Sequence, residues 1–196
     1  CQSQQLLRLD FEHSYQQIDK AILHQKFIDN LKNTHLVIAS DYAKGTLSYL
    51  PELIEQCNKQ KIPILIDPKG DDYSKYRGAT MLTPNLKEFE LVMGNSNTEN
   101  KFLEKGQQML IQYQLKNLLV TRGADGMTLF RIEQAPYHLK AQAKAVYDVT
   151  GAGDTVIGVL STCLAAGISS NQALELANYA AGLVVGQVGA ATVSPA

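Results

Sequence analysis

The chain has 196 residues, of which 45% are hydrophobic, and this is long enough for one domain with a sizeable core. Its 18 basic and 19 acidic residues give a formal net charge of −1, which argues against a nucleic-acid or membrane partner. The four histidines form no ligand-like pair, which argues against a zinc ion held by protein ligands alone. Three scattered cysteines, Cys1, Cys57 and Cys163, are typical of reduced packing residues in a cytoplasmic protein.

Hydrophobic periodicity predicts alternating strands and helices along the chain. Residues 4–12 alternate apolar and polar side chains, as in a half-exposed strand, and residues 35–40 form an apolar run typical of a strand buried on both faces. Further strands are predicted at 62–66, 80–83 and 118–121, with an antiparallel addition from 126–131 and 137–139. Helices are predicted at 16–32, 47–60, 85–93, 98–114, 153–166 and 170–187.

This alternation favours an α/β domain with a mainly parallel central sheet covered by helices on both faces. No linker, repeat or low-complexity segment interrupts the pattern, so residues 1–196 are interpreted as one domain. Ligands bind such sheets beyond the carboxyl ends of the strands. The polar residues that follow the predicted strands are therefore candidate site residues: Asp41, Lys44, Asp67, Lys69, Asn85, Glu88, Thr121 and Gly123.

The stretch 146–160 predicts a strand end, a tight turn and a helix start. The small residues at 151–153 let a ligand approach the backbone, and unpaired amides at a helix N-terminus favour an anion. Asp154 in the first turn suits a base that takes a hydroxyl proton during phosphoryl transfer, or it only stabilises the helix through its dipole. Val156 stands where a dinucleotide fingerprint needs its third glycine, and no Walker-type ending occurs.

Three other patterns each have two interpretations. Asn85 and Glu88, one helical turn apart, suit either a water-shelled Mg²⁺ or a capping box at a helix start. Residues 121–126 are typical of a hairpin turn, although the two glycines three apart also permit close approach of a ligand. Lys44 and Lys69, each followed by glycine, are either solvated or donors to the phosphate of a sugar phosphate.

The run DVTGAGDTVIGVLS resembles the C-terminal signature of the ribokinase-like, or pfkB, carbohydrate kinases, with Val159 as a small departure. The resemblance implies a three-layer ribokinase-like fold, with ATP and Mg²⁺ as cofactors. It assigns the catalytic base to Asp154 and the anion hole to Gly151, Ala152 and Gly153. It implies that Asn85 and Glu88 hold the metal and phosphates. The nucleotide-binding residues that it implies are Asn85, Thr121, Gly123, Gly126, Asn178 and Val185.

Asp148 and Thr150, with carbonyls near Gly189, resemble the monovalent-cation loop of the same family, which implies a K⁺ ion. The segments SDYAKG, LIDPKG and YRGATMLTPN and the final Gly-x-x-Thr-Val-Ser-Pro are similar to one branch of it. Enzymes of this branch phosphorylate D-glycero-D-manno-heptose 7-phosphate at C1, on the way to ADP-heptose for lipopolysaccharide. The implied substrate-binding residues are Asp41, Lys44, Asp67 and Lys69.

The same resemblance implies a homodimer and, in some relatives, fusion to a nucleotidyltransferase domain. It also implies that the N-terminal third of the kinase domain, including the lid, is absent, so that this chain turns over slowly or not at all. Loss of early parallel strands would expose a sheet edge and favour association. Two alternatives are a kinase of another small sugar and a non-catalytic nucleotide-binding module.

Overall fold

The computed structural model describes residues 19–142, 147–189 and 191–193, and one six-stranded sheet lies at its centre. The strands lie side by side in chain order: β1 (Val37–Ser40), β2 (Ile64–Asp67), β3 (Met81–Leu82), β4 (Asn117–Thr121), β5 (Met127–Arg131) and β6 (Gln134–Leu139). β1 to β4 are parallel, whereas β4, β5 and β6 form antiparallel pairs. The carboxyl ends of β1 to β4 therefore share one edge of the sheet.

The helices in the described ranges are α1 (Lys20–Leu31), α2 (Leu50–Lys59), α3 (Leu86–Met93), α4 (Glu99–Gln112), α5 (Ala152–Ala165) and α6 (Ser170–Val184). Several begin at a side-chain cap. Asp19 accepts from the amides of Ala21 and Ile22, and Thr98 accepts from the amide of Lys101. None of these helices is both long and apolar enough to cross a membrane.

Each face of the sheet carries its own hydrophobic core. Along β2, Ile64 and Ile66 point into the core beneath α1 to α4, and Leu65 points into the core beneath α5 and α6. β4 repeats the pattern, because Leu118 and Val120 belong to the first core and Leu119 to the second. Continuous apolar strands therefore become buried on both faces, and the three-layer α/β arrangement is confirmed.

Most element boundaries differ from the predicted ones by a few residues, and local backbone chemistry explains several differences. α2 begins at Leu50 rather than 47, because Pro51 is favoured in the first turn. α4 ends at Gln112, since Gln114 takes a positive φ of 53°. β6 begins at Gln134, directly after the turn at Glu133. The strand predicted at 4–12 lies outside the described residues.

Candidate active site

Predicted site residues that are far apart in the chain converge at the carboxyl edge of the parallel strands. The Asp41 amide donates to the Asp67 carbonyl at 3.0 Å, which links the ends of β1 and β2. The Thr121 amide donates to the Pro84 carbonyl at 3.1 Å, and a parallel bridge joins Thr121 to Asn85. Backbone hydrogen bonds thus fix the relative positions of neighbouring loops.

The Asp41 carboxylate is buried and bound by other groups of the protein. Its Oδ2 atom accepts from Lys75 Nζ at 2.7 Å and from the Tyr76 hydroxyl at 2.8 Å, while Oδ1 accepts from the Ala43 amide at 2.7 Å. Burial alone would raise the pKa of Asp41, but these hydrogen bonds outweigh it and hold the pKa below its ordinary value. Asp41 therefore stays ionised and ties the loops after β1 and β2 together.

The sequence patterns do not single out Lys75 or Tyr76, because both lie in a short 3₁₀ helix, Ser74–Tyr76, rather than directly after a strand. The Tyr76 hydroxyl also accepts from the Lys69 amide at 3.0 Å, so it connects this helix to the loop after β2. Lys44 and Asp41 both line a small cavity of 300 Å³ at the end of β1.

Glu88 takes part in both a capping box and an ion pair. Its Oε2 atom accepts from the Asn85 amide at 3.1 Å, and the Asn85 side chain accepts from the Glu88 amide at 3.0 Å. The capping-box interpretation is therefore confirmed. The Oε1 atom lies 2.9 Å from Lys69 Nζ, and this pair raises the pKa of Lys69. Two predicted substrate and metal residues are thus already in contact with each other.

Asp67 lies at the end of β2, within electrostatic range of acidic groups at two helix N-termini. Burial, together with the negative charges of Glu88 and Asp154, raises the pKa of its carboxyl to about 6, against a smaller lowering by Lys69. Asp154 therefore lies within electrostatic range of the loop after β2. Across the described ranges, no group of three or more His, Cys, Asp or Glu could hold a metal ion without other ligands.

The raised pKa of Asp67 predicts a pH-dependent stability. In metal-free buffer, the folded-state pKa of about 6 exceeds the unfolded value, so the folded state holds this proton more tightly. This contribution to stability grows as the pH falls from neutral through about 6. We expect Asp67→Asn to raise the free energy of unfolding near neutral pH, to lose part of that advantage by about pH 5, and to lose the rest as the pH falls towards the ordinary value of 3.8. Urea unfolding of both proteins at the two pH values measures the difference.

Asp72→Asn is the matched control for that experiment. The Ser74 amide donates to Asp72 at 2.9 Å, and its hydrogen bonds lower the pKa of Asp72, so its contribution is lost as the pH falls. At neutral pH and at pH 5 Asp72 is ionised in both the folded and the unfolded state, so Asp72→Asn should change the free energy of unfolding by nearly the same amount at both pH values. A constant difference between Asp67→Asn and the parent chain at both pH values would contradict the assignment.

The N-terminus of α5 forms the turn that the glycine-rich stretch predicts. Gly151 is the N-cap residue and has a φ of 77°, a left-handed conformation that glycine adopts without strain. The Ala152 amide donates to the Val149 carbonyl at 3.2 Å, whereas the amides of Gly153 and Asp154 have no acceptor among the described residues. The amides of Gly153 and Asp154 are thus open donors at the start of α5, while the Ala152 amide is engaged by the loop before the helix.

A pocket of 580 Å³ lies beside this turn and gathers most of the predicted nucleotide residues. Its lining includes Ala152 and Gly153 from α5, together with Thr121, Gly123, Gly126, Asn178 and Val185. Asn85 is not among the lining residues, but its bridge to Thr121 places it next to them. Asn178 is buried and donates to the Lys140 carbonyl at 2.8 Å, so it also holds the end of β6 against α6.

Much of the pocket wall was not predicted from the sequence, because most of its residues are ordinary small or apolar ones. The additional lining residues are Ala124, Met127, Ala141, Gln142, Val149, Val156, Ala181 and Gly182. Small residues on the inner face of α6 are the available signal in the sequence, although such residues also suit core packing. The result is a largely apolar cleft with amide donors at one end, which suits a flat heterocycle joined to phosphates.

The loop before α5 is closed against the end of α6. Asp148 accepts from the Thr150 amide at 2.9 Å and from the Gly189 amide at 3.2 Å, and the hydrogen bond with Thr150 is the main cause of its lowered pKa. The Tyr147 amide donates to the Val185 carbonyl at 2.8 Å. The residues predicted for a cation loop are therefore brought together, although Asp148 is engaged by amides.

A family profile described as pfkB family carbohydrate kinase matches residues 12–196. The chain belongs to the pfkB family. Curated relatives include the bifunctional protein HldE of Photorhabdus laumondii and that of Escherichia coli O1:K1, each 50% identical to this pfkB chain over 193 residues. The alignments cover 98% of the chain but only 41% and 40% of these relatives, so the chain spans well under half of their length.

Solved structures confirm the ribokinase-like fold of this pfkB chain. Arabidopsis thaliana ribokinase, complexed with ribose and ATP, superposes with a TM-score of 0.76 at 24% identity, covering 84% of the chain and 54% of the ribokinase. Escherichia coli phosphofructokinase-2, in complex with potassium, gives a TM-score of 0.72 at 18% identity, covering 87% of the chain and 57% of that enzyme.

Proposed function

We propose that the chain carries the nucleotide and catalytic-base part of an ATP-dependent kinase that phosphorylates a hydroxyl of a sugar phosphate. The observation that carries this proposal is the position of the α5 N-terminus. Ala152 and Gly153 line the 580 Å³ pocket. Asp154, in the same turn, lies within electrostatic range of Asp67, one of the polar residues at the strand ends. One helical turn thus lies next to both a pocket large enough for a nucleotide and the polar residues at the strand ends.

In this proposal each group has a separate task. Asp154 accepts the proton of the attacking hydroxyl, which raises the nucleophilicity of that oxygen. The open amides of Gly153 and Asp154 stabilise negative charge on the transferring phosphoryl group, helped by the positive end of the α5 dipole. Family membership and the ATP complex of the ribokinase neighbour support the choice of nucleotide.

Asn85 and Glu88 fit a role in holding Mg²⁺, partly through water, because this ion prefers oxygen ligands and keeps several waters. The ammonium of Lys69, 2.9 Å from Glu88 Oε1, indicates that this carboxylate already accepts a cation. When bound, the ion would neutralise charge on the phosphates. We likewise propose Asp148 and Thr150 as residues of a K⁺ site, supported by the closed loop at Gly189 and by the potassium complex of phosphofructokinase-2.

The proposed substrate is D-glycero-D-manno-heptose 7-phosphate, phosphorylated at C1. It is supported by the 50% identity to two HldE proteins and by the cations at the carboxyl edge. Lys69 and Lys75 have side chains 55% and 33% exposed, so both ammonium groups can reach a phosphate in solvent. Together with Lys44, they are the candidate donors to the phosphate that does not react.

ADP release from ATP and Mg²⁺ tests the proposal directly. In a form extended at its N-terminus with the matching region of the Escherichia coli relative, heptose 7-phosphate should support it more strongly than unphosphorylated heptose or fructose 6-phosphate. This chain alone should show the same preference at a lower rate, or no turnover. A preference for another sugar would replace the substrate assignment. Bound ADP without turnover in both forms would favour a non-catalytic nucleotide-binding module.

A further inference from the structure

Arg122 lies in the middle of the loop that borders the nucleotide pocket, but it does not line that pocket. Its neighbours Thr121 and Gly123 both do. The Arg122 side chain turns toward α4 instead, where Nη2 lies 2.6 Å from Glu99 Oε2 and Nη1 lies 3.0 Å from Glu99 Oε1. The result is a bidentate ion pair with a residue 23 positions away in the chain.

Two further contacts hold the guanidinium in place. Its central carbon lies 4.3 Å from the centre of the Phe102 ring, a cation–π arrangement, and Phe102 itself belongs to the buried core. Nη1 lies 3.5 Å from the Thr128 hydroxyl, which contacts His138 Nδ1 at 3.0 Å. The Arg122 side chain is only 13% exposed, so this ion pair is better protected from solvent than an ordinary surface pair.

The backbone of Arg122 is fixed as well. Its amide donates to the Gly126 carbonyl at 2.7 Å, and this hydrogen bond closes the turn over residues 122–126. The Arg122 side chain therefore contacts α4 and the aromatic core, and its backbone amide closes the turn of its own loop. Gly123 and Gly126 have no side chains, so among the described residues Arg122 supplies the main side-chain anchor of this segment, beside the backbone contact of Thr121 with Pro84.

We propose that Arg122, paired with Glu99, is a positioning residue that holds the 121–126 loop in the conformation that binds the nucleotide. This inference rests on the proposed function, because it assumes that the pocket takes an adenine nucleotide. A preformed loop binds more tightly because its ordering is completed before the ligand arrives. Lysine at this position would keep the charge but lose both the planar fork and the stacking on Phe102.

The test compares Arg122→Lys with Arg131→Lys. Arg131 ends the same hairpin, donates from Nη1 to Asn171 Oδ1 at 3.0 Å and, like Arg122, has a buried Nε atom without a partner among the described residues. It lies at the far end of β5 from the pocket. Isothermal titration with ADP should give about a tenfold weaker affinity for Arg122→Lys and an unchanged affinity for Arg131→Lys.

Thermal melting of the same samples separates positioning from general stability. A merely structural role would lower the melting temperature of Arg122→Lys without weakening ADP binding, and this result would overturn the inference. Should Arg122→Lys fail to fold, Glu99→Gln replaces it, since Glu99 is 54% exposed and its loss leaves no buried charge on α4. Glu99→Gln should weaken ADP binding in the same direction, and wild-type affinity would refute the role of the pair.

ADP binding by the parent chain distinguishes a failure of the proposed function from a failure of the Arg122 inference. Absence of ADP binding by the parent chain would overturn the proposed function, and the Arg122 inference with it. ADP binding that is equal in the parent, Arg122→Lys and Glu99→Gln proteins would overturn the Arg122 inference alone. In turnover assays the KM for ATP should rise in Arg122→Lys, while the KM for the sugar phosphate should stay constant.

Discussion

We expect Asp154→Asn to lower kcat by roughly 10²- to 10⁴-fold, the usual contribution of a general base. Asparagine has nearly the same shape as aspartate but cannot accept the hydroxyl proton. ADP affinity should change little, because the pocket is lined by Ala152 and Gly153 rather than by the Asp154 side chain. Initial rates of ADP release and an ADP titration, both on the N-terminally extended form, separate the two effects.

The competing interpretation is that Asp154 only stabilises α5 through the helix dipole. Glu52→Gln is the matched control, because Glu52 occupies the first turn of α2, away from the pocket. Each substitution should lower the free energy of unfolding by about 0.3–1 kcal/mol. Only Asp154→Asn should also lower kcat by the amount given above. Retention of more than half of the parent activity by Asp154→Asn would remove the central claim of the proposed mechanism.

Gly126→Ala should lower the free energy of unfolding by about 3 kcal/mol or more and strongly weaken ADP binding. Gly126 has a φ of 84°, and an added Cβ would overlap the Leu139 carbonyl oxygen and come within 2.7 Å of the Ala141 nitrogen. These are backbone atoms, so the end of β6 must move. Ala141 lines the pocket, and the displacement would therefore reach the ligand.

Gly123→Ala in the same loop isolates the cost of backbone conformation. Gly123 also has a positive φ, of 60°, but no atom lies within 4 Å of an added Cβ. The expected loss of stability is about 1–2 kcal/mol, the ordinary penalty of a left-handed residue. Urea unfolding of the two variants gives the comparison. Equal losses of stability in the two variants would show that the end of β6 moves away from the added Cβ without an energetic penalty.

The fold followed from the sequence because continuous apolar runs such as Ile64–Ile66 and Leu118–Val120 have few alternatives to buried parallel strands. The carboxyl-end rule then placed the polar residues on the correct edge of the sheet. Pairing between them was not predictable, since Lys69 and Glu88 are 19 positions apart and meet only when β2 and β3 are adjacent. The pairing of Arg122 with Glu99, which lie 23 positions apart, was likewise not predictable from the sequence.

Asn85 and Glu88 form a local contact that the sequence could predict. The capping box was foreseeable, because it depends only on residues three apart. Asp41 shows the opposite case: its partners Lys75 and Tyr76 carry no motif, so their contact with a buried carboxylate depends on how two loops pack. Metal and substrate roles for these residues stay predictions.

The mixed sheet also has a consequence for the order in which the parts of the site can form. β4, β5 and β6 pair through short hairpins, so the turn at 122–126 closes through contacts that are local along the chain, whereas its attachment to Glu99 does not. Pairing of Val37 with Ile64, or of Met81 with Asn117, must instead close long loops, which slows folding. The 122–126 turn can therefore take shape early, while its attachment to α4 and the polar residues at the ends of β1 to β3 wait for the slower, long-range steps.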